Sequence, residues 1–138
     1  MRNIAELYVK WEMFEAAARL YEFTLLENDR ERVFTLGEEA IVVTTVMRCI
    51  NIEGEFSGRK AMFHRADKLL KRLGERKGQE CLQMALRVEL VRYAVLWGVA
   101  EGDVSRVDLD RSVRDIESTE SEDGRVIFLK GECLLAYR

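Results

Sequence analysis

A six-residue phrase occurs twice in this chain, as Ile52-Glu53-Gly54-Glu55-Phe56-Ser57 and as Ala100-Glu101-Gly102-Asp103-Val104-Ser105. Each copy lies between a long apolar run and a charged amphipathic stretch, so each reads as a Gly-acid turn joining two helices. A helix-turn-helix unit that recurs cannot bury its apolar face alone and must stack on its neighbours. The phrase therefore constrains the chain to an all-α array of antiparallel helix pairs. The linkers Leu73-Gly74-Glu75-Arg76-Lys77-Gly78 and Ser118-Thr119-Glu120-Ser121-Glu122-Asp123-Gly124 echo one another and set a period of about 46 to 48 residues. An array of this kind builds a binding surface more readily than a catalytic pocket.

Reading outward from the turns predicts about seven helices in one domain, residues 1–138. The first pair covers about 3–11 and 13–28, with Phe14, Ala17, Tyr21, Thr24 and Leu25 on one face and the polar stretch Glu27-Asn28-Asp29-Arg30 breaking the pattern. The second covers about 31–52 and 55–73, its second helix carrying Phe56, Phe63, Ala66, Leu70 and Leu73 inward and stopping at Gly74. The third covers about 78–100 and 103–118, followed by a last helix at about 124–137. Ile41-Val42-Val43-Thr44-Thr45-Val46 and Arg125-Val126-Ile127-Phe128-Leu129 would pass for buried strands in isolation. The first run continues to Ile52 without a turn signal, a length that suits a helix, and each β-branched residue costs a helix only a few tenths of a kcal/mol. Gly37 can delay the start of that helix.

Composition agrees. The chain of 138 residues has no proline, where average usage leads one to expect about seven. A domain of this size buries about two-thirds of its unfolded surface. No uncharged apolar run reaches the length of a membrane span, and the N-terminus lacks the pattern of a secretory signal, so a cytoplasmic location is expected. Cys49, Cys81 and Cys133 are odd in number, far apart and set in apolar runs, which argues for free thiols. With the single histidine, His64, they lack the close spacing of a zinc site. No metal or other cofactor is expected. There is no Gly-rich phosphate loop and no nucleophile-base pair, and Glu38-Glu39 and Glu53 with Glu55 fit helix starts, where the dipole favours carboxylates. Nothing points to an enzyme.

The chain resembles the tetratricopeptide-like repeats. Ala5 and Tyr8, then Phe14, Ala17, Tyr21 and Leu25, have the small and large residues at the spacing with which that family interlocks its helices; Gly54, Phe56, Phe63 and Ala66 match in the second pair. The third pair keeps Gly102-Asp103 but has Arg111 and Arg114 where the family places an aromatic and a small residue. The resemblance implies a right-handed solenoid whose concave side is lined by the first helix of each pair. By position, that groove would offer Arg2, Glu6, Thr44, Arg48, Asn51, Glu89 and Arg92 to a protein partner. Mutual pairing of Arg48, Glu89 and Arg92, or plain exposure, is the simpler reading of these polar residues.

The net charge is only −3, but it is unevenly spread. Lys60, His64, Lys68 and Lys71, with Arg65, Arg72 and Arg76 beside them, form a basic stripe, whereas residues 100–124 are strongly acidic. Three readings remain open for the stripe: a solvated outer face, a dock for self-association or an acidic protein, and a track for a phosphate backbone. The last helix ends apolar, in Cys133-Leu134-Leu135-Ala136-Tyr137-Arg138, with no further helix to cover it. It acts as a cap, as a contact for another copy or subunit, or as the joint to further repeats. The sequence therefore predicts a non-enzymatic adaptor or assembly subunit that binds a protein or itself. A small helical subunit of a ribonucleoprotein, gripping phosphates through the stripe, is the second reading.

Overall fold

A computed structural model describes residues 2–54, 56–74 and 78–137, without the side chains of Arg2 and Asn3. Among the described residues the chain is all-α, with no strand and seven helices: α1 (Arg2–Lys10), α2 (Phe14–Glu31), α3 (Leu36–Glu53), α4 (Arg59–Gly74), α5 (Glu80–Tyr93), α6 (Arg106–Ser118) and α7 (Gly124–Tyr137). Helix α5 runs on into a π-helical turn, Ala94–Gly98, in which the Val99 N–H donates to the Ala94 carbonyl at 3.0 Å.

The local chemistry explains where the helices start and stop. Gly54 and Gly102, at the same place in the two phrases, adopt φ of 82° and 79°, values that an L side chain reaches only with strain. Both β-branched runs are helical. Val42, Val43 and Val46 are buried in the core, and that burial outweighs their weak helix propensity. Helix α3 starts at Leu36, later than residue 31, because Thr35 and Glu38 form a capping box. Helix α2 uses the intervening residues. The Asn28 side chain, buried, accepts from the Phe34 N–H at 2.6 Å, and Arg32 turns the chain with a left-handed φ of 52°. The polar stretch read as a break is thus the last turn of α2. Likewise α4 begins at Arg59, since Phe56 turns into the core and the Arg59 N–H closes a turn on its carbonyl. Ser105 caps α6 by accepting from the Asp108 N–H at 3.1 Å.

Helix α3 packs on α2, α4 and α5, and α5 packs on α3, α4, α7 and, thinly, α6; α1 rests on α2 and α6 on α7. Two apolar cores result, on opposite flanks of α5. One gathers α1 to α5 around Tyr21, Leu25, Met47, Ile50, Phe63 and Tyr93, with Leu86 from α5. The other joins α5 to α6 and α7 through Met84, Val88, Val91, Leu109, Val113, Ile116, Val126 and Cys133. Each large side chain buried there contributes about 1.5–3 kcal/mol of transfer free energy.

Candidate functional site: a polar seam across three helices

Four of the groove residues expected from sequence come together. Glu89, only 2% exposed on α5, receives a hydrogen bond from the Asn51 side-chain amide at 3.2 Å and from Arg92 at 3.2 and 3.4 Å, and lies 3.7 Å from the Arg48 guanidinium. Asn51 also donates to the Glu89 carbonyl at 3.0 Å. Arg92 reaches across to Glu132 of α7 at 2.7 Å. The result is a seam of charge-assisted bonds that pins α3, α5 and α7 side by side. Glu132 is a member that sequence reading missed, since nothing local marks a partner 40 residues from Arg92.

Of the other expected groove residues, Thr44 and Glu6 are not part of the seam. Thr44 is buried in the core, its hydroxyl donating to the Ala40 carbonyl at 2.7 Å, and the next residue, Thr45, is the one that reaches the surface side. Glu89 is enclosed, so it anchors the seam and offers nothing directly to a partner. Glu6 is exposed and borders a cavity of about 330 Å³ with Val9, Lys10, Tyr21, Ile41 and Thr45. The Arg2 side chain lies outside the described residues.

Helical spacing shows what surrounds the seam. Ile41, Thr45, Arg48 and Ile52 form one stripe on α3; Glu89, Arg92 and Leu96 one on α5 and its π turn; Phe128, Glu132 and Leu135 one on α7. Ile41, Ile52, Leu96, Phe128 and Leu135 are all exposed apolar side chains. The face therefore carries polar contacts locked within it and unpartnered apolar groups beside them.

The basic stripe is largely occupied. Arg65 makes a two-pronged contact with Asp29 at 2.7 and 2.8 Å and a third bond to Glu39 at 2.9 Å. This guanidinium holds the Asp29 carboxyl below its ordinary range, and the two carboxylates raise Arg65 in turn. Lys60 pairs with Asp103 at 2.9 Å, Lys71 with Asp67 at 3.4 Å, and Arg72 lies 4.0 Å from Glu39. His64 sits edge-on to Phe63, its ring centroid 5.7 Å away, and Lys68 is exposed. Arg76 lies outside the described residues. Arg59, just upstream, bonds both the Gly54 carbonyl at 2.7 Å and the Glu101 carboxylate, and stacks on Trp97. The basic start of α4 is thus clasped to the acidic second phrase. Beyond the clasp, α4 and α6 stand apart over α5, leaving a cleft of about 660 Å³ with Leu70, Leu90 and Leu109 among its apolar lining, Lys71 on one wall and Asp108 and Asp115 on the other.

Burial pushes the Cys49 and Cys133 thiols up to about 11, so both stay protonated near neutrality and are poor nucleophiles. Among the described residues, seven helices, two cores on one shared helix and a polar seam define an all-α protein. No protein-family model, curated protein or solved structure matches the chain.

Proposed function

We propose that the protein is a non-enzymatic adaptor or assembly subunit, built as a tetratricopeptide-like right-handed array, that binds a protein partner on the face formed by α3, α5 and α7. One observation carries the reading: the seam of Arg48, Asn51, Glu89, Arg92 and Glu132 fixes three helices in register while exposed Ile52, Leu96 and Phe128 flank it. Fixed helices present these apolar groups with little ordering cost on binding, and a few anchors that become fully buried usually dominate interface affinity. Arg48, the most exposed member of the seam, supplies orientation. A cytoplasmic setting belongs to the same proposal.

The ribonucleoprotein reading draws less support, because Lys60, Arg65, Lys71 and Arg72 already have carboxylate partners that a phosphate backbone would have to displace. Affinity capture from the protein's own cell extract, with and without nuclease, separates the two. A defined protein that survives nuclease and is lost with Ile52→Glu or Leu96→Glu supports the adaptor. Loss of every partner on nuclease treatment, or on Lys68→Glu alone, overturns it.

A further inference from the structure

The outward faces of α2 and α7 lie at opposite ends of the contact path that runs from α2 through α3 and α5 to α7. Each is apolar where it should meet water. On α7, Phe128 (67% exposed), Gly131 and Leu135 (71% exposed) follow at i, i+3 and i+7, directly opposite the buried Val126 and Cys133. On α2, Arg19, Phe23, Leu26 and Arg30 follow at i, i+4, i+7 and i+11, opposite the buried Ala17, Tyr21, Leu25 and Asn28. Phe23 and Leu26 are 46% and 56% exposed.

We infer that these two faces dock on one another between copies, the α2 face of one chain antiparallel on the α7 face of the next. This surface shares Phe128 and Leu135 with the α7 edge of the α3–α5–α7 face, so a second copy would compete there with the partner proposed above, but it uses neither Ile52 nor Leu96 and does not rest on that reading. Two features select a second copy as the occupant. The first is shape: Gly131 leaves a notch between Phe128 and Leu135, with open space where a side chain would stand, and Phe23 is the right kind of knob for it. The second is charge. Antiparallel docking sets the C-terminal end of α2, with exposed Arg30 and Arg32, beside the loop before α7, with exposed Glu120 and Glu122. It also brings Arg19, though shared with Glu15, toward the carbonyl end of α7, where a cation is favoured. Glu27 and Glu31 lie to one side of the α2 stripe and do not point along it.

Because the two faces differ, the contact is heterologous, and with the faces at opposite ends of the contact path copies add head to tail as an open chain instead of closing a ring. A contact of two helix faces is smaller than a standard interface of about 800 Å² per partner, and association in the range of about 10–100 µM is expected. Sedimentation velocity across that range should show a mass that climbs from the 16.0 kDa protomer past the dimer without a plateau. Phe128→Glu/Leu135→Glu and Phe23→Glu/Leu26→Glu change exposed positions only, so both variants should keep the wild-type circular dichroism and melting temperature and be monomeric alone. Mixed in equal amounts, each supplies the face the other lacks, and they should form a 1:1 dimer that grows no further. Arg30→Glu should weaken association about tenfold and Glu122→Arg should restore it, as paired charges do across an interface. A wild-type chain that stays monomeric throughout, leaving α7 to a foreign partner, overturns the inference. So does a folded pair of variants that fails to dimerise on mixing, or a wild type that stops at the dimer.

Discussion

The guanidinium of Arg59 lies over the indole of Trp97, 5.0 Å from the ring centroid, while one of its nitrogens donates to the Gly54 carbonyl at 2.7 Å. One side chain thereby joins the end of α3 to the π turn of α5, and with the Glu101 carboxylate it ties the first repeat phrase to the second.

Removing that side chain should be costly for a surface change. Arg59→Ala deletes a cation–π contact and charge-assisted bonds that are partly shielded from water, and about 2 kcal/mol of stability should be lost. Arg59→Lys should recover less than half of this, because an ammonium cannot stack and fork at once. Urea unfolding followed by circular dichroism measures both, and a loss from Arg59→Ala no larger than that of an ordinary exposed arginine would remove the clasp from the account.

Gly54 and Gly102 differ in one respect that substitution isolates. Both have positive φ, but a Cβ at Gly54 would stand 3.3 Å from Trp97 Cζ2, whereas none would meet anything within 4 Å at Gly102. Gly102→Ala should cost the backbone strain alone, about 1–2 kcal/mol. Gly54→Ala should cost more by about 0.5–1 kcal/mol, the effort of shifting the indole. Equal losses at the two sites would show that Trp97 gives way freely.

Glu89→Ala should destabilise the chain by about 3 kcal/mol, near the lower end for breaking a buried pair, since Arg48 and Arg92 can still turn to water. Arg92→Ala and Glu132→Ala, combined in a double-mutant cycle, should show a coupling of only about 0.5–1 kcal/mol, as that end of the seam is more open. A larger loss from Glu132→Ala than from Glu89→Ala would invert the order of importance argued from burial.

Acid should act through Asp29. Its carboxyl is held below the ordinary aspartate value of 3.8, first by the hydrogen bonds from Arg65, so the folded state binds the proton less readily than the unfolded state. The resulting stabilisation is complete above pH 3.8 and fades as pH falls through the lowered folded value. The Asp29 side chain is half exposed, so the contribution is about 0.5 kcal/mol, screened by salt. Asp29→Asn should reduce stability at neutral pH and narrow its difference from wild type below pH 3.8; a difference that stays constant with pH would count against the pair.

The thiols supply a probe of packing. Cys81 is half-buried, whereas Cys49 and Cys133 are enclosed and raised to about 11. A disulfide reagent at pH 8 should modify Cys81 first and the other two only as fast as the chain opens. Immediate modification of all three would contradict the closed cores.

The seven helices were legible because their apolar residues recur at helical spacing and because the repeated glycines mark where pairs turn. Helix starts were less so. Leu36 and Arg59 depend on a capping box and on a buried phenylalanine, whose geometry emerges only in the fold. Of the residues expected to line a groove, Arg48, Asn51, Glu89 and Arg92 do meet, but Thr44 and Thr45 could not be told apart. Helix α3 is apolar almost all round, with Ile41 outside and Val42, Val43, Val46 and Met47 inside, so its sequence does not reveal the phase of its outer face. The pairing of the basic stripe was not legible for a related reason. A row of lysines and arginines is visible in one dimension, but its acidic partners on α2, α3 and the second phrase are not.

The π turn at Ala94–Gly98 holds one residue more than the α-helical ladder requires, and everything after it is rotated by about 100° as a result. Trp97 sits inside this turn, so the placement of its indole under the Arg59 guanidinium depends on the number of residues there as well as on their identity. Deleting one residue within Ala94–Gly98 should therefore loosen the clasp although no member of it has been replaced.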